Sequence, residues 1–125
     1  MNDKKILVAD DESHILNVVS LKLRNAGFTV VTARDGQEAL ELAQQEMPDL
    51  LITDYHMPQL SGIELCQKLK QDAATSKIPA IMLTARGYSL EPGDTERSGI
   101  CEMLSKPFSP RQLLTTVEKV LNIAA

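Results

Sequence analysis

Five apolar runs of strand length recur along the chain, at 5–9, 29–33, 49–53, 79–84 and, more weakly, 101–105. Each closes in polar residues. The first, third and fourth are almost continuously apolar, as expected of strands covered on both faces rather than half-solvated ones. Amphipathic stretches fill the intervals. Ile15, Val18, Val19, Leu21 and Leu23 recur at near-helical spacing, and Gly27 is placed to stop that helix. Asp35 with Glu38, Ser61 with Glu64, and Ser109 with Gln112 each form a helix-start signature, the last with Pro110 at the first helical position. Strand then helix, five times over, implies a doubly wound α/β fold: a five-stranded parallel sheet with helices on both faces and right-handed crossovers.

One unit is weaker than the rest. The fourth helix should fall between Ser89 and Ser98, yet Pro92 and Gly93 stand inside that stretch and would break a helix interior. A short, late or irregular element is expected there. The chain has 125 residues, which fits one domain over 1–125 without a further linked domain.

Composition narrows the function classes. With 43 % apolar residues, 24 % charged residues and a net charge of −4, the chain reads as an ordinary globular protein. The acidic balance and scattered Lys and Arg argue against a nucleic-acid surface. No apolar run approaches the roughly 18 residues of a membrane span, and only Ile6 to Ala9 follow the charged N-terminus, too few for a secretory signal. Cys66 and Cys101 lie far apart in apolar surroundings, which suits free thiols in a reducing, cytoplasmic compartment. His14 and His56 show no transition-metal spacing.

Open parallel sheets bind ligands beyond the carboxyl ends of their strands. Those ends hold Asp10 and Asp11, Asp54, Thr84, and Ser105 with Lys106. Three carboxylates on one edge repel one another, and a hard divalent cation relieves the repulsion. Magnesium suits such a site because it binds through one or two carboxylates together with waters and phosphate oxygens. A carboxylate is also a competent nucleophile toward phosphorus, and phosphoryl transfer depends mainly on positioning and charge neutralisation. With Lys106 as a second positive charge and Thr84 as a hydroxyl donor, the residue types fit an aspartyl-phosphate site.

Taken together, Ile6-Leu-Val-Ala-Asp-Asp-Glu12, Asp54-Tyr-His-Met-Pro58 with Gly62, Leu83-Thr-Ala85 and Lys106-Pro-Phe108 resemble the motifs of response-regulator receiver domains, from about Lys4 to Leu121. The resemblance implies the flavodoxin-like strand order 2-1-3-4-5 and a two-component phosphorelay function. Asp54 matches the phosphoacceptor and Asp11 the principal acidic metal ligand. Asp10 matches its water-positioning partner, and the His56 backbone carbonyl matches the group that completes the Mg2+ shell. Lys106 and Thr84 match the groups that bind the phosphoryl oxygens, and Lys106–Pro107 matches a cis bond. A histidine kinase or histidine phosphotransfer protein is the implied donor, an unidentified protein the downstream partner, with neither nucleic acid nor membrane bound. The expected protein is a stand-alone regulator and not an enzyme, assisting only its own phosphorylation and dephosphorylation. His56 and Arg86 are expected to tune the rate of dephosphorylation.

Met103 departs from the family pattern, which has Tyr or Phe three residues before the lysine. Methionine can fill the same space but carries no hydroxyl. Tyr88 is a candidate to take over part of that role. Met103, with the Pro92–Gly93 break, keeps an alternative open: a phosphorylation-independent scaffold of the same fold with an impaired switch. A small magnesium-dependent phosphatase would need an acid two residues after Asp54, where His56 stands. A flavin protein would need a phosphate-cradling loop after the first strand, and none is present.

Overall fold

The computed structural model describes residues 4–84 and 98–122. Among the described residues nine elements follow in order: β1 (Lys5–Ala9), α1 (Ser13–Asn25), β2 (Thr29–Ala33), α2 (Gly36–Glu46), β3 (Leu50–Asp54), α3 (Gly62–Gln71), β4 (Ala80–Thr84), β5 (Ile100–Ser105) and α4 (Pro110–Leu121). All strand pairs are parallel, in the order β2-β1-β3-β4-β5. The expected irregular element after Thr84, with Arg86, Tyr88, Pro92 and Gly93, lies outside the described residues.

Strand side chains alternate between two cores because successive Cβ atoms point to opposite sheet faces. Ile6, Val8, Ile52 and Leu83 pack with Leu16, Val19 and Leu23 of α1 and Leu113 and Val117 of α4. Leu7, Ala9, Leu51 and Met82 pack with Ala39 and Ala43 of α2 and Leu65 and Leu69 of α3. Every residue of β3 and β4 is buried, which is why those strands read as continuous apolar runs. The sheet is therefore covered on both sides, and its carboxyl edge is left to carry the chemistry.

Helix starts follow the capping signals, but only one of the three forms the reciprocal box. At Ser61 both halves of the capping box form: the hydroxyl accepts from Glu64 N–H at 3.1 Å, and the Glu64 carboxylate accepts from Ser61 N–H at 2.9 Å. Asp35 accepts from Glu38 N–H at 2.8 Å, but the Glu38 carboxylate turns to Arg34 N–H instead, at 2.7 Å. Ser109 accepts from Gln112 N–H at 3.0 Å, with Pro110 beside it. Past the end of α1, Gly27 adopts φ 98°, a backbone state that costs side-chain-bearing residues energy. Among the described residues, no helix is long and apolar enough to cross a membrane.

The loop from β3 to α3 is held against the end of β3. Gly62 N–H donates to the Tyr55 carbonyl at 2.8 Å. A Cβ at position 62 would collide with the Asp54 carbonyl oxygen and come within 2.9 Å of Met82 Sδ. Neither backbone can yield without moving Asp54. Gly62→Ala is accordingly expected to destabilise the domain by about 1–3 kcal/mol, the usual cost of overpacking, seen as a lower midpoint in urea or thermal denaturation. An unchanged midpoint would show that the loop has slack that this packing denies.

Candidate functional site

Four strand ends bring the site together. Asp10 follows β1, its N–H bonded to the Ala33 carbonyl at 3.1 Å. Asp54 and Thr84 are the last residues of β3 and β4. Lys106 follows β5, with its N–H donating to the Thr84 carbonyl at 2.6 Å. The Lys106–Pro107 peptide bond is cis. Asp10, Asp54 and Thr84 are all buried, at 0 %, 7 % and 3 % exposure, a strong departure from the surface placement usual for such residues.

The Lys106 ammonium binds this edge together. It donates to Asp10 Oδ2 at 3.2 Å and Glu12 Oε1 at 2.8 Å, and lies 3.1 Å from Asp54 Oδ1. Burial alone would lower the lysine's pKa, but its bonds to Glu12 and Asp54 and the charge of Asp10 outweigh that and hold it above the ordinary value. It remains a cation across the physiological range. Burial raises the Asp10 pKa, and the Asp54 charge adds to the rise. The Glu12 N–H, which donates to Asp10 Oδ1 at 2.9 Å, and the Lys106 charge only partly offset it. The Glu12 carboxyl is lowered by its hydrogen bond to Lys106.

Carboxylate oxygens of Asp10, Glu12 and Asp54 lie within 4.8 Å of one another. An all-oxygen set of this kind suits a hard divalent cation and not a soft one. Asp11, placed first among the expected ligands, is exposed and stands outside this trio. Glu12 takes a place that the strand-end reading did not assign it. Its side chain comes to this edge because the chain bends at Asp11 as it leaves β1, and the Glu12 N–H is held by Asp10 Oδ1 at 2.9 Å. The His56 side chain is exposed, its ring edge-on to that of Tyr55 with centroids 4.6 Å apart. Met103 is half-buried, sits opposite Met82 across the β4–β5 ladder, and packs against the α2–α3 core.

A sheet of this order with two acids and a lysine at its carboxyl edge defines a class, and comparison with known proteins gives the same result. The family model of the response regulator receiver domain matches residues 6–118. The chain belongs to that family. It is 40 % identical over 119 residues to the alkaline phosphatase synthesis transcriptional regulatory protein PhoP of Bacillus subtilis, covering 95 % of this chain and 49 % of that protein. It is 38 % identical over 121 residues to the phosphate regulon transcriptional regulatory protein PhoB of Pseudomonas aeruginosa, covering 97 % and 53 %. The chain thus spans about half the length of the curated relatives it matches. Among solved structures it resembles the chemotaxis response regulator CheY4 of Vibrio cholerae, with a TM-score of 0.87, 34 % identity and coverage of 95 % and 99 %. It also resembles the receiver domain of the sensor histidine kinase PA1611 from Pseudomonas aeruginosa, with a TM-score of 0.84, 25 % identity and coverage of 97 % and 99 %. That structure is described with a magnesium ion coordinated in its active-site cleft.

The raised Asp10 pKa has a thermodynamic consequence. A carboxyl whose folded-state pKa exceeds its unfolded value burdens the fold when ionised, so the burden is present at neutral pH and fades as pH falls through the folded pKa. Asp10→Asn should therefore raise the thermal midpoint at pH 7 in metal-free buffer, and the gap from wild type should close on acidification. Added Mg2+ should raise the wild-type midpoint, because a ligand that binds only the folded state stabilises it, and Asp54→Asn should blunt that response. Differential scanning calorimetry across pH and Mg2+ concentration reads both; an Asp10→Asn midpoint at or below wild type would contradict the first.

Proposed function

We propose that this receiver domain accepts a phosphoryl group on Asp54, in a Mg2+-dependent reaction, from a histidine kinase or histidine phosphotransfer protein, and signals by altered binding of a partner protein. The observation that carries this reading is the Lys106 ammonium 3.1 Å from Asp54 Oδ1 on an edge crowded with acids. An Asp54 carboxylate oxygen forms the new P–O bond while the P–N bond to the donor imidazole breaks, its electron pair remaining on the leaving nitrogen. Lys106 then neutralises charge on the phosphoryl oxygens, and Thr84, at the neighbouring strand end, supplies a hydroxyl to one of them. A magnesium ion held by Asp10, Asp54 and, from the family resemblance, Asp11 and the His56 carbonyl would supply the remaining positive charge.

An apolar cleft of about 430 Å3 supports a protein donor. It is lined by Ile15, Val18 and Val19 of α1 and by Pro107 and Phe108, with Glu12 and Lys106 also on its wall. A donor helix seated there would deliver its histidine to the acid edge. The domain is not an enzyme with a separate substrate in this reading; it assists only its own modification and its loss, and it works in the cytoplasm, where such donors act. The net charge of −4 supports a protein rather than a nucleic acid as the partner of these 125 residues. The relatives named as transcriptional regulators are about twice as long.

A second reading is favoured by Met103, which has neither the ring nor the hydroxyl through which the family's switch moves: a scaffold of the same fold that binds partners without phosphorylation. Intact-mass spectrometry separates the two. Incubation with acetyl phosphate and Mg2+ should add the mass of one phosphoryl group to wild type. Asp54→Asn, or chelation of the metal, should abolish it. Wild-type protein that gains no mass would overturn the phosphoacceptor reading in favour of the scaffold.

A further inference from the structure

Glu12 occupies the N-cap position of α1, yet its side chain makes no capping hydrogen bond, and the first turn of that helix contains no acidic residue. Ser, Thr, Asp and Asn are the residues that satisfy the free N–H groups of a helix start. Here the carboxylate is turned away from the helix to Lys106, where its 2.8 Å bond is the shortest of the three that the ammonium makes. The other two partners differ from it in burial. The side chains of Asp10 and Asp54 are 0 % and 11 % exposed, that of Glu12 59 %. The Glu12 N–H is also tied to Asp10 Oδ1 at 2.9 Å, which fixes where the residue stands relative to the buried pair.

The ammonium donates to Asp10 and Glu12 and is paired with Asp54, so three acids share its single charge. A divalent cation bound by Asp10 and Asp54 must share those carboxylates with a like charge next to it. If the lysine's partners were those two alone, every gain in cation contact would come at the expense of a lysine contact. A third carboxylate on the solvent side removes that conflict.

We propose that Glu12 is a positioning residue that keeps the Lys106 ammonium on the outer side of the Asp10–Asp54 pair while those two buried carboxylates take up a divalent cation. This rests on the phosphoacceptor reading, because the lysine must stay beside Asp54 to meet the incoming phosphoryl oxygens. A departure from good helix capping at a functional edge fits it, since functional sites are where local sequence rules are broken.

The test is a Mg2+ titration of the unphosphorylated protein followed by amide NMR shifts, on wild type, Glu12→Gln, Lys106→Ala and the double variant, with thermal melts confirming that each is folded. Glu12→Gln should weaken Mg2+ binding about three- to fivefold, the upper range for a partly exposed ion pair. That loss should shrink clearly in the Lys106→Ala background, as coupled residues require. An equal loss in both backgrounds would mean that Glu12 acts on the cation through its own charge, and the inference falls. Glu12→Ser separates positioning from helix capping: it should raise the thermal midpoint while binding Mg2+ as weakly as Glu12→Gln. Wild-type affinity in Glu12→Ser would overturn the inference as well. Wild-type protein that binds no Mg2+ at millimolar concentration would overturn the phosphoacceptor reading and the inference with it. Binding and phosphorylation by wild type, with Glu12→Gln unchanged in Mg2+ affinity, would overturn the inference alone.

Discussion

Two buried carboxylates facing one ammonium set the terms for the rest of this molecule. Asp10 and Asp54 are removed from water on the same sheet edge, and like charges so placed destabilise the fold unless something offsets them. Lys106 is that something, at 3.2 Å and 3.1 Å. It comes from a chain segment 96 residues away from Asp10. Only a closed tertiary structure brings those groups together, so the electrostatics of the edge depends on the sheet being in register.

The scaffold meets this requirement by being rigid just beneath the charges. β1, β3 and β4 end side by side, and the fully buried residues below those ends interdigitate with helices on both faces. The loop that leaves Asp54 is pinned by the contact of Gly62 with the strand end, so the Asp54 carboxylate has a backbone that cannot drift. The Lys106 backbone is tied to Thr84 in the same way. Preorganisation of this kind fixes the charged groups of the edge in place, so that a bound ligand would meet them without reorganising the protein. Met103, where the family resemblance implied an aromatic ring, fills space against Met82 and the α2–α3 core, an apolar contact without a hydroxyl.

Much of this was legible in the residues. Strand boundaries at 5–9 and 29–33 coincide with the observed ones, and the others shift by one residue at one or both ends. Burial on two faces leaves a continuous apolar run, and short polar caps leave a signature at helix starts. Ser61–Glu64 formed its full reciprocal pair. Asp35–Glu38 and Ser109–Gln112 formed only the forward half, and at the first the Glu38 carboxylate accepts from the Arg34 N–H instead, a choice between adjacent donors that no spacing rule distinguishes. Glu12 was missed for a related reason. It lies just beyond a strand end, where side-chain direction depends on the exit path of the chain, and its partner is 94 residues distant.

The sequence by itself determined the alternating architecture, the two-sided burial of the sheet and the identity of the groups at its carboxyl edge, because hydrophobic period, caps and strand ends are local properties of the chain. Tertiary structure alone decided which acids share the lysine, that Glu12 and not Asp11 is among them, and that Asp10 is the carboxyl whose pKa rises. Distances, burial and mutual charge are set by how separate segments meet, and Coulomb interactions over a few ångströms in a partly dry site cannot be read from the order of residues along a chain.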